Sequence, residues 1–191
     1  MKKIVFIGGM VGTRFDSLMF RKAFAGYVIH EFHYNQMLIE DIPTVAGKLK
    51  GFIDSLQLAD GEKIGIIGLS AGGIIADYYL KFLDSGKTDT FATVFSPFGG
   101  SNLGIFFSRK YLGIHDLTKG SALLAKLREM KIENIRMISI WSYLDYIVSG
   151  TSGRYENPKH TFFFIHSISQ FWPPIAFSLK RFFDNAQAKS L

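Results

Sequence analysis

Short apolar runs alternate along this chain with segments of helical period, and this alternation limits the possible folds more than any other feature. The clearest pair is the apolar run Lys63–Ile67 followed by the helical segment Ala71–Leu83. Strands and helices in alternation form βαβ units, in which the strands lie parallel in one sheet. With 191 residues, 48% of them hydrophobic, the chain can bury the core of one domain. We therefore predict a single α/β domain over residues 1–191.

The same alternation places six strands and the helices between them. The predicted strands are Ile4–Ile7, Tyr27–Phe32, Lys63–Ile67, Thr90–Phe95, Ile135–Trp141 and Thr161–Ile165. The predicted helices are a short one over Ser17–Phe24, one capped by Asp41 with Pro43 in its first turn, Ala71–Leu83, one capped by Ser121, and a terminal helix opened by Pro173-Pro174. Residues 98–120 hold five glycines and no sustained period, so we expect an excursion there that forms a cap or lines a pocket.

The turn between the third strand and the helix Ala71–Leu83 carries the most informative motif. It reads Gly68-Leu69-Ser70-Ala71-Gly72, a G-x-S-x-G pattern. The glycines allow a tight turn that places Ser70 at a helix N-terminus, where the Ala71 N–H and the helix dipole favour a developing oxyanion. The alternative is a phosphate-binding turn with a capping serine, but the lysine of a P-loop and the G-x-G-x-x-G spacing are missing. The motif favours Ser70 as a nucleophile.

This segment resembles the nucleophile elbow of the α/β-hydrolases, in particular the compact lipase and esterase branch with its G-H-S-x-G-G elbow. Leu69 stands here in place of the usual histidine. The resemblance implies a sheet of spatial order 2-1-3-4-5-6 with helices on both faces, and a crevice at the carboxyl ends of the first and third strands. It also implies catalysis without a metal or an organic cofactor.

A serine nucleophile needs a base, and in α/β-hydrolases the chain order is serine, acid, histidine. Three histidines follow Ser70, namely His115, His160 and His166. His166 comes directly after the predicted strand Thr161–Ile165, on the side where a crevice would lie. His160 is at the opposite end of that strand, and His115 precedes the best acid. We predict His166 as the base.

Asp145 follows the predicted strand Ile135–Trp141, in a segment that resembles the S-x-x-D-x-x-V stretch carrying the acid in many lipases and esterases of this group. We predict it as the third member of the triad. Asp116 and Glu156 are the alternative acids, and Asp145 could instead cap a turn.

The second oxyanion donor is expected in the loop after the first strand, Gly8-Gly9-Met10-Val11-Gly12. Lipases of this branch commonly have His-Gly here, and alignment of Gly9 with that glycine implies the Met10 N–H as donor. A shift of one residue would make it Val11, and an ordinary glycine turn is the alternative. After the fourth strand, Ser96–Gly104 resembles a T-P-H-x-G-S segment of lipases. Phe106 and Phe107 beyond it either line an acyl pocket or belong to the core.

These features together predict a serine hydrolase for a small ester or lipid-like substrate. A thioesterase or acyltransferase would use the same triad, and a non-catalytic binding or scaffold protein could retain the fold. The absence of cysteine excludes disulfides, thiolate metal sites and cysteine nucleophiles.

The formal charge of +6 comes from scattered basic residues, so we expect no nucleic-acid partner. The apolar run at the start is too short for a signal peptide and no run could span a bilayer, which predicts a cytoplasmic protein. The Phe-rich terminal helix is expected to pack on the sheet, with peripheral membrane contact as the alternative.

Overall fold

The computed structural model describes residues 1–10, 21–102, 110–148, 152–155, 158–161, 166 and 173–187. Its centre is a six-stranded sheet with the spatial order β2-β1-β3-β4-β5-β6, in which every neighbouring pair is parallel. The strands are β1 Lys3–Ile7, β2 Val28–Phe32, β3 Ile64–Leu69, β4 Thr88–Val94, β5 Arg136–Trp141 and β6 Pro158–His160. The predicted order 2-1-3-4-5-6 is confirmed, and the first five strands lie within a few residues of their predicted positions.

The predicted position of the sixth strand, Thr161–Ile165, is wrong. β6 lies earlier, at Pro158–His160, where Pro158 pairs with Ser139 of β5 and His160 pairs with Trp141. A proline is tolerated at the first residue of an edge strand, because its missing N–H is not needed by a further neighbour. Thr161 lies outside the strand, although its N–H still bonds the Trp141 carbonyl, and residues 162–165 lie outside the described part of the chain.

Two of the five helices named here begin at side-chain caps that the sequence supplies. The helices are α1 Ile42–Ser55, α2 Ala71–Phe82, α3 Leu112–Asp116, α4 Ala122–Glu129 and α5 Pro173–Gln187. Asp41 accepts a hydrogen bond from the Thr44 N–H at 2.8 Å, and Ser121 accepts one from the Leu124 N–H at 3.2 Å, which satisfies donors that a helix start leaves free. Both predicted caps are therefore confirmed.

The sheet separates two apolar cores because side chains alternate between its faces. On β1, Val5 and Ile7 join the core covered by α1 to α4, whereas Ile4 and Phe6 join the core covered by α5. The predicted excursion at residues 98–120 contains the short helix α3, whose Ile114 is buried in the first core. Residues 103–109, with Phe106 and Phe107, lie outside the described residues, as do residues 17–20 of the first predicted helix.

None of the helices that the structure describes combines the length and the apolar character that a bilayer crossing requires.

Candidate active site

Ser70 occupies the turn between β3 and α2 in a backbone conformation that L-residues rarely adopt. Its φ is 49° and its ψ is −122°. Such a conformation is strained and persists only where the surroundings hold it. The Ser70 N–H donates to the Val94 carbonyl at 2.9 Å, and the Ser70 carbonyl accepts from the Gly73 N–H at 3.0 Å. The strained turn is thus bonded both to the neighbouring strand and to the first turn of α2.

Two glycines of the motif are required by close packing at this turn. A Cβ on Gly68 would lie 2.5 Å from the Cα of Gly73, and a Cβ on Gly72 would lie 2.6 Å from the carbonyl oxygen of Gly8. Real Cβ atoms do not come this close to backbone atoms, so a larger residue at either position would move the turn or the loop after β1. The G-x-S-x-G spacing therefore lets α2 lie directly against the exit of β1.

His166 connects Ser70 with Asp145. Its Nε2 lies 2.9 Å from the Ser70 Oγ, and its Nδ1 lies 2.7 Å from the Asp145 Oδ2. A carboxylate can only accept, so this contact places the proton on Nδ1 and leaves Nε2 to accept from the serine hydroxyl. The structure brings together the three side chains that the sequence singled out, in the arrangement in which a histidine removes a serine proton.

The surroundings of this array bury the acid and the imidazole and restrict their geometry. Asp145 is 4% exposed and His166 is 9% exposed. The Asp145 Oδ1 accepts from the N–H groups of Ile147 at 2.9 Å and Val148 at 3.0 Å, so the carboxylate orientation is set by the backbone. The Phe95 ring stacks on the imidazole with a centroid distance of 5.8 Å. Asp145 therefore caps its own turn and contacts His166 at the same time.

The loop after β1 lies against Ser70. A Cβ on Gly9 would lie 2.9 Å from the Ser70 Cβ, so the absence of a side chain at Gly9 lets the loop approach the turn at Ser70. Met10 follows directly, and the Ala71 N–H belongs to the first residue of α2. Both predicted donors thus belong to segments that border Ser70. Val11 lies outside the described residues.

The alternative acid and base residues have other positions. The Asp116 Oδ2 accepts from the Ile42 N–H at 2.8 Å, which caps the start of α1, and burial raises the pKa of this carboxyl. His115 is an exposed residue of α3. His160 lies in β6, and Glu156 lies outside the described residues. The described part of the chain contains no cluster of His, Asp or Glu that could hold a metal ion.

One residue beside the site could not be predicted from the sequence. Tyr34, which follows β2, donates its hydroxyl to the Gly8 carbonyl at 2.9 Å. It belongs to no motif, and a contact between loops 26 residues apart leaves no periodic pattern, so only the structure reveals it.

Comparisons with known proteins bear on the fold. No family model matches the chain, and no curated protein matches its sequence. Among solved structures, the mature Bacillus licheniformis lipase BlEst2 superposes with a TM-score of 0.70 at 16% identity, covering 94% of this chain and 91% of the lipase. A bromoperoxidase from Bacillus anthracis gives 0.71 at 14% identity, covering 96% and 92%. Aspergillus fumigatus lipase B gives 0.66 at 14% identity over 84% of this chain, which spans only 44% of that lipase.

The chain has the α/β-hydrolase fold. In an α/β-hydrolase fold the loops at the carboxyl ends of the strands form the crevice, and here Gly9, Ser70 and Asp145 all follow strand ends at that edge. Leu69, which replaces the more usual histidine, is 4% exposed and belongs to the core under α5. Because one fold supports many reactions, the chemistry has to be argued from the site itself.

Proposed function

We propose that this protein hydrolyses carboxylic esters of small acyl or lipid-like groups through an acyl-enzyme on Ser70. The observation that carries the proposal is the imidazole of His166, which is hydrogen-bonded to Ser70 on one side and to Asp145 on the other. A carboxylate that bonds one ring nitrogen of a histidine orients the ring. The other, unprotonated nitrogen can then accept the proton of a serine hydroxyl, and this activates the hydroxyl as a nucleophile.

In the proposed reaction the Ser70 Oγ bonds to the ester carbonyl carbon while its proton passes to the His166 Nε2. The Asp145 carboxylate stabilises the imidazolium that forms, and the N–H groups of Ala71 and Met10 stabilise the oxyanion. Collapse of the tetrahedral intermediate breaks the bond to the alcohol, which takes the proton from His166. A water molecule then loses a proton to His166 and attacks the acyl-enzyme. Collapse of this second tetrahedral intermediate breaks the bond to the Ser70 Oγ, which takes the proton from His166 as the acid is released.

The test compares Ser70→Ala with the wild-type protein on short p-nitrophenyl esters. We expect kcat to fall by about 10⁴-fold or more, because the nucleophile is lost, while the unfolding midpoint is retained. Ser55→Ala is the matched control, since Ser55 is an exposed residue of α1 whose hydroxyl donates to the Phe52 carbonyl of its own helix. Full activity in Ser70→Ala would refute the proposal.

Two further measurements separate the proposal from its alternatives. A fluorophosphonate probe reacts only with an activated serine, so a stoichiometric adduct on Ser70 argues against a scaffold role. Parallel assays of an ester and the corresponding thioester, each with and without an added alcohol acceptor, separate esterase activity from thioesterase and acyltransferase activity. We expect the ester to be the better substrate and water the preferred acceptor.

A further inference from the structure

The hydroxyl of Tyr34 contacts the backbone of the loop that carries the proposed second oxyanion donor. It donates to the Gly8 carbonyl at 2.9 Å, and the Tyr34 ring stacks on Phe32 with a centroid distance of 6.0 Å and an interplanar angle of 17°. Burial raises the pKa of Tyr34, so the phenol keeps its proton and remains a donor across the working pH range. The proposed catalytic steps make no use of this half-buried group.

The Gly8 carbonyl is also confined from its other side. Its oxygen lies 2.6 Å from the position that a Cβ on Gly72 would occupy, so it lies against the first turn of α2. The Gln36 Nε2 lies 3.3 Å from the Cβ position of Gly8 itself. The peptide that joins Gly8 to Gly9 is therefore enclosed between the loop after β2 and the helix of the nucleophile.

The restraint on the Gly8 carbonyl also affects the backbone before Met10. A peptide unit is planar, so a fixed Gly8 carbonyl also fixes the direction of the Gly9 N–H on the opposite side. Only the two backbone torsions of Gly9 separate this unit from the Met10 N–H, and a glycine by itself restricts these torsions little. The hydrogen bond on the Gly8 carbonyl fixes the peptide plane that precedes these two torsions, so the position of the Met10 N–H then depends on the torsions of Gly9 alone.

The loop that presents Tyr34 is itself well held. Leu38 is fully buried, its N–H bonds the Asn35 carbonyl at 2.9 Å, and its carbonyl accepts from the Gly113 N–H of α3 at 3.1 Å. The Tyr34 hydroxyl is therefore held in place by its own loop and can restrain the glycine-rich segment after β1.

We propose that Tyr34 is a positioning residue that aligns the Met10 N–H for the oxyanion. This inference rests on the proposed function, because it assigns a role in stabilising the oxyanion of that reaction. Preorganised donors accelerate a reaction only if they already point at the developing charge. Loss of the Tyr34 hydroxyl should therefore weaken transition-state binding and leave ground-state binding unchanged.

The kinetic test is Tyr34→Phe, which removes the hydroxyl and keeps the stacked ring. We expect kcat to fall by about tenfold with KM unchanged, and the pH profile to keep its shape because the His166 contacts are intact. Tyr27→Phe is the matched control, since the Tyr27 hydroxyl bonds the Asp184 carboxylate at 2.9 Å and lies at the core under α5. A kcat within about twofold of wild type, or an equal fall in both variants, would overturn the proposal.

A second readout does not depend on activity. Amide hydrogen exchange at Gly9 and Met10, followed by NMR, should be about tenfold faster in Tyr34→Phe than in wild type or Tyr27→Phe. Unchanged exchange would overturn the positioning role even in an active enzyme. Faster exchange in a protein that hydrolyses no ester would support the hold of Tyr34 on the loop and refute the proposed function instead.

Discussion

The two oxygens of the Asp145 carboxylate have different partners, and this division determines the effect of a substitution. Oδ1 accepts two backbone N–H groups, whereas Oδ2 faces the Nδ1 of His166. In Asp145→Asn the amide oxygen would stay with the backbone donors, so the NH₂ group would face His166. The imidazole would then carry its proton on Nε2 and could no longer accept from Ser70. We expect kcat on p-nitrophenyl esters to fall by about 10³–10⁴-fold with little change in stability.

Asp116→Asn is the control, because Asp116 is the alternative acid that follows Ser70 in the sequence and it caps α1 instead. We expect its kcat to stay within about twofold of wild type. If Asp116→Asn lost activity and Asp145→Asn retained it, the assignment of the acid would be wrong.

Gly9 gives a second test at the residue scale. A methyl group on Gly9 would lie 2.9 Å from the Ser70 Cβ, which forces the loop or the nucleophile to move. We expect Gly9→Ala to lower kcat at least about tenfold, since small displacements of reacting groups are costly to the rate. Gly47→Ala is the comparison, because Gly47 lies exposed in α1 and the new methyl group would meet no described atom within 4 Å apart from its chain neighbours and the nearby backbone of its own helix. It should retain activity and gain about 0.5–1 kcal/mol of stability, measured by urea unfolding.

Among the elements, α2 carries a buried ion pair in the half of the helix farther from Ser70. Asp77 is fully buried, its Oδ2 contacts the Lys81 Nζ at 3.0 Å, and its Oδ1 accepts from the Tyr155 hydroxyl at 2.7 Å. The Lys81 side chain is 1% exposed and also donates to the Leu127 carbonyl at the end of α4. The pair thus joins α2 to α4 and to the segment containing Tyr155.

Lys81→Met would leave the Asp77 carboxylate buried without its cation, and we expect a loss of about 3–5 kcal/mol in the free energy of unfolding. Burial already raises the pKa of Asp77, and the Lys81 charge opposes that rise. Without Lys81 the folded-state pKa rises further, so stability is retained at low pH and lost as pH increases. The deficit in urea unfolding should therefore be larger at about pH 8 than at about pH 5.

Lys50→Met tests whether burial is the cause. Lys50 forms an (i, i+4) pair with Asp54 in α1, at 44% and 41% exposure. An exposed pair contributes less than about 1 kcal/mol, so we expect a small change with little pH dependence. Equal losses in the two variants would contradict the argument from burial.

The elements also show why the sequence predicted some features and missed others. The helix caps at Asp41 and Ser121 and the turn at Ser70 depend on residues within a few positions, and local patterns predicted them. β6 was misplaced because the apolar run Thr161–Ile165 is the stronger local signal, whereas the edge strand is defined by its pairing with β5. The contacts of Tyr34 with Gly8 and of Tyr155 with Asp77 join distant segments, and no spacing in the sequence encodes them.

At the scale of the whole molecule, the strand order explains why the site assembles at one edge. β1 lies between β2 and β3, so the connections that follow β1 and β2 run in opposite directions across the sheet. In parallel sheets the crevice lies at the carboxyl ends of the strands where the strand order reverses in this way. The loops after β1, β3 and β5 bring Gly9, Ser70 and Asp145 to this edge. These residues thus follow the ends of a sheet whose two faces are both covered by helices, which gives the loops a rigid base.

The cover of the second face depends on α5. Ile175, Leu179 and Phe183 are buried against the sheet, and the Phe183 ring occupies the space above Gly65 of β3. Aromatic neighbours surround this ring, with centroid distances of 5.8 Å to Phe24 and 6.3 Å to Tyr27. The ring therefore links the last helix of the described chain to a central strand and to the segment before β2.

Phe183→Ala would leave a cavity between α5 and the sheet, because Gly65 has no side chain to fill it. We expect the free energy of unfolding to fall by about 3–5 kcal/mol in urea titrations. Phe177→Ala on the same helix is the matched control, since Phe177 is 68% exposed and should change stability by less than about 0.5 kcal/mol. Both variants lose the same apolar side chain, so unequal losses would locate the stabilisation in the contact with the sheet. Equal small losses would mean that α5 is not part of the cooperative core.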